Sequence, residues 1–111
     1  MAIKFKNSQV SIVNFNDFHI NLFRVLSKLS NDFGLDIVIT SLNDSKHKER
    51  SYHYKDLAAD IRTKNLSEEM KDKLYKALMQ ELGQDYTVIF EDRGGENEHI
   101  HIQLKNNRNK K

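Results

Sequence analysis

The sequence predicts an α+β domain: a small antiparallel sheet with two helices packed on one of its faces. Three observations lead there. Two stretches carry apolar residues at helical spacing, several short stretches alternate with a period of two, and a Gly-Gly pair separates the last two of these. At 111 residues the chain has room for one domain, assigned to residues 1–105, followed by a disordered basic tail over 106–111.

Met1 to Phe15 alternates loosely (Ile3, Phe5, then Val10, Ile12, Val13) and reads as one or two short extended pieces. From Asp17 the period changes. Phe18, Leu22, Val25, Leu26, Leu29 and Phe33 recur at helical spacing, with an Asn/Asp start and Gly34 as a stop, which predicts a helix over 17–33. Ile37-Val38-Ile39 within Leu35–Ser41 is a β-branched run suited to a buried strand. Asn43 to Ser51 has no apolar residue and must be a solvated loop. Tyr52 to Thr63 is again extended, with Leu57, Ala59 and Ile61 on one side and Ala58, Asp60 and Arg62 on the other. Ser67, as a cap ahead of Glu68 and Glu69, starts a second helix. Its apolar stripe runs through Met70, Leu74, Ala77, Leu78 and Leu82, and Gly83 ends it. Tyr86–Glu91 and Glu98–Leu104 alternate on either side of Gly94-Gly95 and form a hairpin.

Composition removes several function classes. With no cysteine, disulfide scaffolds, thiolate zinc sites, iron–sulfur clusters and cysteine nucleophiles are excluded, so any metal must be held by His, Asp or Glu. No stretch approaches the ~20 apolar residues of a membrane span, and no apolar segment follows the first charged residues as a secretory leader would. The expected location is cytoplasmic as synthesised. The net charge of +2 owes its sign to Lys105, Arg108, Lys110 and Lys111; without them 14 basic residues face 16 acidic ones. A basic patch with interleaved aromatics is missing, so no specific nucleic-acid partner is expected.

The hairpin carries the chemistry. Its strands bury Tyr86, Val88, Phe90, Ile100, Ile102 and Leu104 on one face, which leaves Thr87, Ile89, Glu91, His99, His101 and Gln103 together on the other. Of five histidines, His19 on the polar side of the first helix and His47 in the charged loop are expected at the surface. Two features stand out: His53 with Asp60 seven residues later, and the pair His99-Ile100-His101. Two imidazoles and one carboxylate suit Zn²⁺, which in catalytic sites takes three protein ligands and keeps a fourth position open.

The segment Ser51-Tyr52-His53-Tyr54-Lys55-Asp56-Leu57-Ala58-Ala59-Asp60-Ile61 resembles the signature Ser-x-His-x-x-Gly-x-Ala-x-Asp-Ile of the zinc D-alanyl-D-alanine carboxypeptidase and endolysin family. That group also holds the lysostaphin-type peptidases and the hedgehog signalling domain, and Glu98-His99-Ile100-His101 resembles its closing His-x-His strand. The order of elements agrees over about 17–104, and the chain is similar to short peptidase-like proteins of small single-stranded DNA phages. The resemblance implies a hedgehog/DD-peptidase-like fold and Zn²⁺ held by His53, Asp60 and His101, with His99 as a hydrogen-bond donor near the metal. The base that moves the water proton is Glu91 or Glu98. Glu-x-x-His spacing nominates Glu98, or Glu96 toward His99; the hedgehog-like pattern and strand alternation favour Glu91. The implied substrate is a D-amino-acid-containing stem or cross-link peptide of peptidoglycan, cut in phage lysis or wall penetration, after release or by a virion component.

Two departures bear on this. Asp56 stands where the family has Gly, and Asp visits the left-handed region at modest cost. The arginine that in the family often follows the first core strand and grips the substrate carboxylate is missing from Thr40 to Asp44. Arg62, which shares a face with Asp60, or Arg50 can replace it, and Tyr54 can line the cleft. The alternative function is a non-catalytic, hedgehog-like zinc-binding interaction domain; nucleic-acid binding through the basic tail is a third. Oligomeric state is not readable from the sequence.

Overall fold

In the computed structural model, residues 2–7, 17–42 and 58–104 are described. The seven elements follow the expected order: β1 (Ile3–Phe5), α1 (Asp17–Phe33), β2 (Ile37–Leu42), β3 (Ala58–Arg62), α2 (Glu68–Leu82), β4 (Tyr86–Glu91) and β5 (His99–Leu104). Val10 to Phe15, the loop Asn43–Ser51, the start of the Tyr52–Thr63 stretch and the basic tail lie outside the described residues, and with them His47, Arg50, His53, Tyr54 and Asp56.

Helix α1 buries the stripe its spacing demands, with Phe18, Leu22, Val25, Leu26 and Leu29 in the core. Helix α2 begins where Ser67 Oγ accepts a hydrogen bond from Met70 N at 3.1 Å. Glu68 and Glu69 fill its first turn, where the free N–H groups favour negative charge. Leu74, Leu78 and Leu82 of α2 join the α1 stripe and the inner face of the sheet in one cluster. Each such side chain taken fully out of water contributes about 1.5–3 kcal/mol. His19 is not at the surface: it is fully buried in α1, edge-on to Phe18 with ring centroids 5.2 Å apart. The physical reason is its position one turn before Leu22 and two before Leu26, on the edge of the apolar stripe.

The five strands form one sheet in the order β1-β2-β3-β5-β4. It is mixed, a correction to the all-antiparallel sheet expected. β1 runs parallel to β2, pairing Ile3 with Ile37 and Phe5 with Ile39, whereas the other neighbours are antiparallel. A parallel pair needs a long crossover, which α1 supplies between these two strands. The hairpin pairs as alternation requires: Val88 opposite Ile102, Phe90 opposite Ile100 and Glu91 opposite His99. In β2 the register with β3 shifts between Ile39 and Ser41, so Thr40 is an extra residue and Leu42 returns to the core beside Ala59. That bulge sits against Asp60, which pairs with Ser41 on one side and with His101 on the other. Among the described residues no helix is long and apolar enough to cross a membrane.

Candidate metal centre

Three adjacent strands build the outer-face cluster. β3 contributes Asp60, β5 contributes His99 and His101, and β4 contributes Glu91. Because Asp60 is paired with His101 in register and Glu91 with His99, their side chains rise side by side from the sheet. His101 Nδ1 lies 2.8 Å from Asp60 Oδ1, and His99 Nε2 lies 2.9 Å from Glu91 Oε1 and 3.8 Å from Asp60 Oδ1. One donor atom from each of Asp60, His99 and His101 falls within 4.8 Å of the other two. A tetrahedral zinc site with bonds near 2.0–2.1 Å holds its donors about 3.3 Å apart, so small side-chain rotations suffice to bring these three onto one ion.

The far sides of both rings are also held. His99 Nδ1 lies 2.7 Å from the Asn97 carbonyl oxygen, and His101 Nε2 lies 2.7 Å from Gln103 Oε1. The Asn97 carbonyl and Gln103 carboxamide oxygens can each accept a ring proton on that side while the opposite nitrogen faces a carboxylate. This is the arrangement in which outer hydrogen bonds orient metal-binding imidazoles. Without a cation, a proton must fill the gap between an imidazole lone pair and a carboxylate. Accordingly the Asp60 carboxylate, helped by Gln103, raises the His101 pKa above the usual histidine value despite partial burial.

A concavity of about 520 Å³ opens beside the cluster, bordered by Lys6, Thr40, Asp60, Arg62, Lys64 and His99. Arg62 is exposed there on the same face as Asp60, as its alternation with Asp60 requires.

Glu98 is placed differently from the other acids. It faces the core side, where its nearly inaccessible carboxylate accepts hydrogen bonds from Thr63 Oγ1, from Lys71 Nζ at 2.9 Å and from Gly94 N at 2.9 Å. Burial alone would raise its pKa; the bonds from Thr63, the Gly94 N–H and the Lys71 ammonium outweigh that and bring it down to about 2. A carboxylate so held is a weak proton acceptor, and its contacts are with Thr63, Lys71 and Gly94 instead of either histidine. Of the two candidate bases, only Glu91 touches the histidine pair. Lys71 and Thr63 carried no role in the sequence reading, although Lys71 lies one turn before Leu74 and two before Leu78, on the buried stripe.

No family model, curated protein or solved structure matches this chain.

Proposed function

We propose that this chain is a zinc-dependent peptidase with a hedgehog/DD-peptidase-like fold, acting on D-amino-acid-containing stem or cross-link peptides of peptidoglycan. The single observation that carries the reading is the convergence of Asp60, His99 and His101 on one sheet face. It gains support from the Ser51–Ile61 signature, which supplies His53 as a further imidazole donor.

Asp60 and His101 would hold the ion, with His53 of the signature as the third ligand that the resemblance implies. Zn²⁺ bound there would supply Lewis-acid polarisation of the scissile carbonyl and make water a better nucleophile at neutral pH. Glu91 receives the proton that water gives up and returns it to the leaving amine. His99, with Nε2 2.9 Å from Glu91 Oε1, would stand beside the reacting centre as a hydrogen-bond donor to the oxygen on which charge develops. Arg62, which borders the concavity, would bind the substrate's carboxylate, with Arg50 and Tyr54 as the further substrate-binding residues that the sequence nominates. A role in phage lysis or wall penetration fits the small domain.

The test is digestion of purified peptidoglycan by the zinc-loaded protein, with released peptides identified by mass spectrometry. The wild type is expected to release them, and Glu91→Gln to lose about 10²–10⁴-fold in rate while keeping its zinc. A wild type that binds zinc but releases nothing contradicts the peptidase and leaves the non-catalytic interaction domain.

A further inference from the structure

His101 meets the cluster with one ring nitrogen and is held from behind by the other. Nδ1 lies 2.8 Å from Asp60 Oδ1 and Nε2 lies 2.7 Å from Gln103 Oε1. A neutral imidazole has one proton to place, and the two ends compete for it. Asp60 carries a negative charge and is the stronger acceptor, so by itself it draws the proton to Nδ1, where it blocks the nitrogen that a cation needs. With a cation on Nδ1 the remaining ring proton lies on Nε2, and the carboxamide oxygen of Gln103, 2.7 Å away, accepts it. Gln103 is well placed to do this. It stands two residues beyond His101 on the same face of β5, paired with Ala58 of β3 and Thr87 of β4. The corresponding partner of His99 is the backbone carbonyl of Asn97, which no side-chain substitution removes.

We infer that Gln103 is a positioning residue for the metal centre: its amide oxygen accepts the Nε2 proton of His101 and so holds the ring orientation that presents Nδ1 to a divalent cation. The inference rests on the metal reading above. It assigns a function to a side chain that neither the His-x-His pattern nor the signature segment includes. It also separates the two polar neighbours of His101, since Asp60 provides a ligand atom and Gln103 only sets the geometry.

The test uses Co²⁺ as a spectroscopic stand-in for Zn²⁺, with affinities from the visible absorption of the bound ion. Gln103→Leu removes the acceptor and Gln103→Glu restores one. Gln103→Leu is expected to weaken Co²⁺ binding 10–100-fold, with the thermal unfolding of the metal-free protein unchanged, and Gln103→Glu to bind at least as tightly as wild type. A folded Gln103→Leu variant binding within twofold of wild type overturns the role. A second readout needs no variant: nitrogen chemical shifts of the His101 ring in the zinc-loaded wild type are expected to show the metal on Nδ1 and the proton on Nε2, and a metal on Nε2 overturns the inference. Failure of the wild type to bind Co²⁺ contradicts the metal reading itself, whereas tight wild-type binding with an indifferent Gln103→Leu contradicts only the part given to Gln103.

Discussion

Asp60 lies between both histidines, 2.8 Å from His101 Nδ1 and 3.8 Å from His99 Nε2, so the change of one atom there probes the whole cluster. Asp60→Asn keeps the shape and removes the charge. In the metal-free protein the pKa of His101, raised chiefly by the Asp60 carboxylate, is expected to fall toward the ordinary histidine value, as read by NMR titration. A His101 pKa unmoved by this change would show that the contact does not govern the ring. That His101 and Asp60 each face away from the core is legible from alternation, whereas their meeting is implied only by the family resemblance. Gln103 was placed on the same face but given no task, since its use depends on where an amide bends, which alternation does not encode. His19 was misplaced because a position at the edge of a helical stripe is read from its polarity, while burial is set by the neighbouring turns.

Among the elements, the hairpin that presents His99 is tied to α2 and to the end of β3 through Glu98. That carboxylate bonds to Lys71, Thr63 and the Gly94 N–H, and Arg93 in the connecting loop bonds to Glu68 and Asp72 of α2. Gly95 cannot carry a side chain without cost: a Cβ there would lie 2.4 Å from Asp92 Oδ1, and the Asp92 carboxylate holds Asn97 N at 2.9 Å. Gly95→Ala would push that carboxylate off Asn97 N and is therefore expected to destabilise the fold by about 0.5–1.5 kcal/mol in denaturant unfolding; equal midpoints would show that the loop yields freely. A pH prediction belongs at this scale too. Because the folded pKa of Glu98 is depressed to about 2, its stabilisation is present above the unfolded carboxyl value and is lost as pH falls through the folded one. Stability should thus decline between about pH 5 and pH 2, and Glu98→Gln should be less stable at pH 7 and flatter over that window. A variant as acid-sensitive as the wild type would contradict this.

At the scale of the whole molecule, one core joins both helices to the inner face of the sheet, leaving the outer face to the candidate metal centre. Leu78, fully buried in that core, is expected to cost about 2–5 kcal/mol on change to Ala, visible as a marked fall in Tm. A Tm within a degree or two of wild type would mean that α2 is less essential than its packing implies. Helices and hairpin were legible because their signals are local: a cap, a stripe, two alternating runs and a glycine turn. The parallel pairing of β1 with β2 and the bulge at Thr40 were not, because both arise from contacts between segments far apart in sequence, and a three-residue strand has no period of its own to announce its partner. The account turns on an ion bound at the meeting of β3 and β5, and zinc content after dialysis, with calorimetric titration of the metal-free protein, measures that most directly. One zinc per chain in the wild type, and its loss in the Asp60→Ala/His101→Ala double variant with the fold intact, is the result predicted. A folded double variant retaining the wild-type zinc content would contradict it.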